Sequence, residues 1–328
     1  MNDAPGRCPL TYNPLGSGEP LYSAAGLRRL SRTLTHLDPL SFTAAGLVQE
    51  AAARADRMSI GGVQPKVNAV LRPAEGRFEV VTVGGRWILK PDNPAYPEVP
   101  ANEDLAMRLA SAASVETADH ALVYARGDDD PDAPGALVYA VRRFDRVGRG
   151  DKLALEDFGQ LLGLDRETKY DASMERAAAA VEAFCTFPAV EKVELFRRTL
   201  VAFLTGNEDM HLKNLAVLTG RDGLRRLSPA YDLVASAAVL RDPQELALPI
   251  AGKRSNLRRE HLVDYYGRER LGLTERVVES VLADIADVGP AWNDLIDRCF
   301  LSDAIRDRLR ETISERRRRL GLVGPTAR

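Results

Sequence analysis

One polar stretch sets the frame for this chain: Thr205-Gly-Asn-Glu-Asp-Met-His-Leu-Lys-Asn214, set between the apolar runs 196–204 and 215–218. It puts Asp209, His211, Lys213 and Asn214 on one short loop beside a core, and Pro229-Ala-Tyr-Asp-Leu233 brings a further carboxylate, Asp232, on the next segment. A fold that contains this chain must leave that loop accessible while burying both of its flanks.

An Asp followed five residues later by an Asn, with another Asp about twenty residues on, is the donor pattern that phosphoryl transfer from Mg-ATP requires. The first Asp positions the attacking hydroxyl and takes its proton, the Asn and the later Asp hold magnesium on the phosphates, and a lysine from elsewhere neutralises phosphate charge. The Asp-x-x-x-x-Asn spacing is that of protein-kinase catalytic loops, but no His-Arg-Asp precedes it, and the literal Asp157-Phe-Gly159 lies upstream, in the wrong order. The plainer reading is that Asn207, Asp209 and Asn214 cap and solvate a helix-to-strand connection.

The 328 residues, 45% hydrophobic and 28% charged, suffice for one large domain or two lobes. A formal net charge of −2 gives no global drive toward nucleic acid or membranes. Cys8, Cys185 and Cys299 are too far apart for a metal or disulfide framework, which fits a reducing cytoplasm. No export signal or bilayer-length apolar run is present, so a cytoplasmic protein is expected.

In chain order, a Pro- and Gly-rich arm leads into helices expected over 21–36 and 42–56. Between 58 and 146 the pattern turns to short strands (66–71, 78–83, 87–89, 136–144) interrupted by one helix, 102–111. From residue 155 onward it reads as mainly helical, ending in a long helix over 302–320. This predicts three parts: an arm with helices (1–57), a β-rich nucleotide-covering lobe (58–146) and a helical lobe with the catalytic and metal-binding loops (147–328). Ser59-Ile-Gly-Gly-Val-Gln-Pro-Lys66 is either a turn or a phosphate-facing loop. Lys90 ends an apolar strand, and Glu103 either orients it or serves as a first-turn carboxylate. Val141 and Phe144 form an adenine-facing surface or belong to the core. Asp128 to Asp132 reads as a solvated hairpin tip, and Arg316 to Arg319 as a solvated helix end or a contact for an acidic partner.

With these residues in hand, the chain resembles the HipA family of bacterial serine/threonine kinase toxins. The resemblance rests on Ser59 to Lys66, Ile88-Leu-Lys-Pro91, Asn102-Glu103, Arg143-Phe-Asp-Arg146, Glu156-Asp-Phe-Gly-Gln160, Asn207-x-Asp-x-His-x-Lys-Asn214, Pro229 to Leu233 and Pro249-Ile-Ala-Gly-Lys253, in family order. It implies an α+β, two-lobed protein-kinase-like fold with a small β-rich N-lobe and a mainly α-helical C-lobe. It implies ATP and Mg2+ as cofactors. By position, Asp209 matches the catalytic Asp, Asn214 and Asp232 the magnesium ligands, and Lys90 the ATP-phosphate lysine. Gly62, Val63 and Gln64 fall in the phosphate-covering loop, and Arg142 with Phe144 on the adenine connector, where many members have Glu in place of Arg142. His211 and Lys213 are expected to steady the loop and meet phosphate. Ser59 matches the autophosphorylated serine, and Gly61 stands where some relatives carry another serine.

Full-length HipA proteins carry an N-terminal subdomain ahead of the matched region. The chain therefore looks like HipT, the short kinase of three-part HipBST systems, with support from Cys8-Pro-Leu-Thr-Tyr12 and Ser23-Ala-Ala-Gly-Leu27. The implied partners are a HipS-like small protein, a HipB-like helix-turn-helix antitoxin that alone meets DNA, and a protein substrate, expected to be an aminoacyl-tRNA synthetase. No membrane partner is implied. A small-molecule phosphotransferase and an inactive ATP-binding scaffold are the competing readings.

Overall fold

The computed structural model describes residues 6–19, 21–54, 64–92, 98–130, 133–148, 150–164, 172–240 and 244–322. It divides into two compact units: Met1–Asp104 with Ala118–Arg146 and Arg298–Leu301, and Leu105–Thr117 with Val147–Asp297 and Ser302–Arg328.

The first unit holds helices α1 (Ala24–Leu30) and α2 (Ala44–Arg54), strands β1 (Val67–Arg72), β2 (Arg77–Val80) and β3 (Trp87–Lys90), the start of α3 (Val99–Ala112), and strands β4 (His120–Arg126) and β5 (Pro134–Arg142). The strands form an antiparallel sheet in the order β2-β1-β3-β5-β4. Because side chains alternate along a strand, Trp87 and Leu89 join Val67, Val123 and Ala140 in a core shared with Cys8, Leu10, Leu27 and Leu47. Lys90 is on the other face.

Helix α1 is shorter than its Leu27, Leu30, Leu34 spacing predicts. Ser31 (φ −158°) ends the helix, a turn at 32–33 follows, and Leu34, Leu37 and Leu40 enter the core without helical structure. The reason is tertiary: the Leu40 N–H donates to the Tyr124 carbonyl at 2.8 Å and the Arg126 N–H to the Phe42 carbonyl at 3.0 Å. The segment thus covers the outer edge of β4, which otherwise presents unpaired backbone groups.

β6 (Arg146–Val147) and β7 (Asp151–Lys152) form a two-stranded sheet ahead of β8 (Ala154–Asp157). In the second unit β8 leads into α4 (Phe158–Leu161), α5 (Met174–Phe184) and α6 (Pro188–Thr205). Strands β9 (Ala216–Thr219) and β10 (Arg225–Leu227) complete a three-stranded sheet with β8. Helices α7 (Glu275–Asp287), α8 (Gly289–Arg298) and α9 (Asp303–Leu320) follow. Val278, Val281, Leu282 and Ile285 give α7 one buried stripe at the helical period. The segment Glu260–Arg270 is a π-helix, in which Gly267 sits so close to Phe196 that an added Cβ would lie 2.8 Å from its ring.

The arginines at the end of α9 correct the sequence reading. Arg316 and Arg317 are buried rather than solvated: Arg316 donates to the Phe203 carbonyl, and Arg317 to the carbonyls of Ile285 (3.0 Å) and Ala286 (2.8 Å). Arg319 donates to the Leu257 carbonyl at 2.9 Å and pairs with Glu245. These side chains close open carbonyl groups within the unit. No described helix is long and apolar enough to cross a membrane.

Candidate active site

In the first unit, Lys90 ends β3 as expected and points inward, its Nζ 2.7 Å from Glu103 Oε1 of α3 with both side chains almost wholly buried (7% and 0% exposed). Burial strengthens the attraction, and each charge satisfies the other. Of the two roles open to Glu103, the geometry is that of Lys90's partner. Arg142 lies at the end of β5, where its N–H donates to the Asp119 carbonyl at 2.7 Å and its guanidinium meets the Asp119 carboxylate at 3.2 Å. Phe144 is half-buried in the turn that follows, beside a two-bond contact of Arg143 with Asp145 (3.0 and 2.8 Å). Gln64 is half-buried ahead of β1, while Ser59, Gly62 and Val63 lie outside the described residues.

In the second unit, the long apolar helix α6 stops at Gly206, whose φ of +75° ends the helix and whose N–H caps the Ala202 and Phe203 carbonyls. A Cβ at this glycine would stand 2.5 Å from that of Ala237. The loop that follows is braced from within. Asn207 accepts from the Asp209 N–H (2.9 Å), and Asn214 Nδ2 donates to the Asp209 carbonyl (2.9 Å). The Asp209 backbone is therefore fixed on both sides while its carboxylate stays 49% exposed.

His211 Nδ1 accepts from the Lys213 N–H at 3.2 Å. That bond leaves the ring proton of neutral His211 on Nε2, which faces Asp209 Oδ1 at 4.0 Å. His211 is buried, and its bond to the Lys213 N–H lies within the loop.

Asp232 is tied to the same loop by two tethers that flank it. On one side the Tyr231 hydroxyl donates to the Lys213 carbonyl at 2.8 Å. On the other, Ser236 Oγ accepts from the Glu208 N–H at 2.9 Å and donates to the Gly206 carbonyl at 3.1 Å. Asp232 itself adopts a left-handed backbone, φ +59°, a conformation Asp tolerates better than most residues. Burial, together with the carboxylates of Asp157 and Asp232, pushes the Tyr231 hydroxyl well above the ordinary tyrosine range and keeps it a donor. Glu208 is also held above the usual carboxylate range, chiefly by burial and in part by neighbouring Asp209, against the pull of Arg316.

Asp157-Phe-Gly159 lies against this loop as well. Asp157 and Gln160 form a capping box at the start of α4, the Phe158 N–H donates to the Leu215 carbonyl at 2.8 Å, and Gly159 faces Lys213. It is a platform for the loop, despite its misleading likeness to a kinase motif. The sequence gives no sign of Tyr231 as a tether or of Ser236, and it presents Arg316 only as part of a charged helix end. Their bonds to the loop or to the end of α6 span 18 to 113 residues, and no local spacing announces them.

Among the described residues no group of three or more His, Cys, Asp or Glu side chains is arranged as a metal site. Asn214 and Asp232 would offer a different donor set. Fixing Asn214 Nδ2 on a carbonyl presents its Oδ1 as an acceptor, and one amide oxygen with one carboxylate suits a magnesium ion that draws its other ligands from phosphate and water.

Comparison with known proteins adds the family. Residues 58–292 match the model of the HipA-like C-terminal domain. A protein of Haemophilus influenzae named as a kinase is 28% identical over 70% of this chain and 68% of its own length. The kinase-named Y4dM of Sinorhizobium fredii is 32% identical over 61% of this chain and 50% of its own. The serine/threonine-protein kinase toxin HipA of Shewanella oneidensis is 27% identical over 59% and 47%, so the match spans about half of that relative. In fold, the chain is similar to HipA of Shewanella oneidensis, solved with HipB and operator DNA (TM-score 0.64, 23% identity, covering 88% of this chain and 72% of that one). It is also similar to the Helicobacter pylori proinflammatory kinase CtkA (TM-score 0.56, 16% identity, covering 81% and 92%). The fold is therefore of the HipA-like kinase type, and the chain belongs to the family of the HipA-like C-terminal domain.

Proposed function

We propose that this protein is an ATP-dependent serine/threonine protein kinase acting as the toxin of a HipBST-like toxin-antitoxin system. The observation that carries the reading is the loop 207–214: its backbone is braced by Asn207 and Asn214, its one reacting carboxylate is left half-exposed, and it is tied on both sides to the segment bearing Asp232. Such a loop holds a general base still without burying it. In this reading Asp209 accepts the proton of a substrate serine hydroxyl, whose oxygen bonds to the γ-phosphorus of ATP as the bond to the β,γ-bridging oxygen breaks and ADP leaves. Lys90, held by Glu103, meets the α and β phosphates. Asn214 and Asp232 hold Mg2+, which when bound neutralises phosphate charge. Gly62, Val63 and Gln64 cover the phosphates, Lys213 meets phosphate, and Arg142 and Phe144 border the adenine.

A HipB-like antitoxin is the expected partner, by likeness to the HipA solved with HipB and DNA. A HipS-like partner rests on the N-terminal motifs, whose two stretches touch: the Ser23 N–H meets Cys8 Sγ at 3.1 Å, and a Cβ at Gly26 would lie 2.8 Å from that of Leu10. Ser59 is the proposed autophosphorylation site, where a phosphate of nearly two negative charges would repel ATP. Ser59→Ala should keep transfer while abolishing self-inhibition, read by activity after preincubation with ATP. The deciding experiment is phosphoproteomics after brief induction of the wild type beside Asp209→Ala. New phosphoserine in a translation-related protein, expected to be an aminoacyl-tRNA synthetase, supports the reading, and its absence sinks it.

A further inference from the structure

Helix α3 presents two adjacent carboxylates to the five-stranded sheet, Glu103 and Asp104, and neither has any solvent exposure. Only Glu103 figures in the proposed chemistry. Asp104 Oδ1 is 2.8 Å from Nδ1 of His120 on β4, a side chain only 6% exposed. The strand register puts both sheet partners on one face: β3 pairs Lys90 with Tyr139, and β5 pairs Tyr139 with Leu122 and Val141 with His120. Tyr139 stands between the two, with its ring centroid 5.7 Å from Lys90 Nζ and 5.8 Å from the His120 ring. One buried polar layer thus spans three strands and joins the helix to two of them.

Successive residues on an α-helix point about 100° apart around its axis. A helix held by Glu103 alone could roll about that contact and let Lys90 go. A second bond from the next residue to a different strand removes the roll. We propose that the Asp104–His120 bond is a second lock on α3, which keeps Glu103 on Lys90 with or without nucleotide. His120 is then a positioning residue that acts through Asp104, α3 and Glu103. The inference rests on the reading of Lys90 as the phosphate lysine, and the test separates the two.

The full chain is labelled with an amine-reactive ester in the absence of ATP, and modification of Lys90 is followed by peptide mass spectrometry. Steady-state kinetics at varied ATP accompany it. His120→Leu should raise both the Lys90 labelling rate and the KM for ATP about tenfold, the loss expected for one charge-assisted hydrogen bond. A variant that merely loses folded molecules would lower kcat with KM unmoved. In His120→Asn, the Nδ2 atom takes the place of Nδ1 and should restore most of both values. If His120→Leu does not fold, Asp104→Asn keeps the shape, removes the charge and should raise labelling to a smaller extent. Wild-type labelling rates and KM in the folded variant overturn the lock. A wild type that does not use ATP overturns the proposed function, and the labelling arm then still decides whether the lock exists.

Discussion

Lys90 meets Glu103 at 2.7 Å with both side chains buried, whereas Asp209 stands 4.0 Å from His211 with half its side chain in solvent. The first pair is a buried contact that holds a helix to a sheet, and its loss is felt by the whole unit. The second has little stake in stability, because an exposed charge at that distance is worth little. On the proposed function the difference teaches a division of labour: groups that position are buried and matched, while the carboxylate proposed to react is kept available and only its backbone is fixed.

That contrast can be broken at either end. The largest effect is expected for Asp209→Ala, which should cut phosphate transfer about a thousandfold or more while leaving thermal unfolding where it was. A normal rate, or a large loss of stability, would erase the distinction. Next comes Glu103→Ala, which strands a buried ammonium and should cost about 3 kcal/mol of folding stability, measured by denaturant titration. A neutral result would mean that Lys90 finds another partner. Asp232→Asn should slow transfer about a hundredfold and raise the magnesium requirement, by analogy with the loss of other metal-site partners, without unfolding the turn. Comparing it with Asp232→Ala sharpens the point, since Ala adds about 1 kcal/mol of left-handed backbone strain to the same loss of charge. The smallest effect belongs to Arg142→Ala. Its side chain is half in solvent and its ion pair with Asp119 more so, so stability should change by less than about 0.5 kcal/mol.

How much of this was legible in the sequence follows the same line. Asp209, His211, Lys213 and Asn214 could be read because they are contiguous and set between apolar runs. Lys90 could be read from its place at the end of a strand, and its pairing with Glu103 follows from a helix placed over the alternate face. What escaped was set by contacts between distant segments. The chain beyond Ser31 has helical spacing but leaves the helix because its backbone at 40–42 serves β4. Residues 155–157 read as the start of a helical region yet belong to β8, because β9 pairs with them. The arginines of α9 look like a charged surface, but carbonyls from three other segments take them inside. Ser236 gives no local sign that it bridges Gly206 and Glu208.

The bond from Arg316 to the Phe203 carbonyl joins residues 113 positions apart, and it holds the end of the helix from which the Asp209 loop departs. During synthesis, Asp209 leaves the ribosome well before that anchor exists. A growing or prematurely terminated chain therefore carries the 207–214 loop without its support. On the proposed function, a cell would meet the armed poison only after α9 has docked.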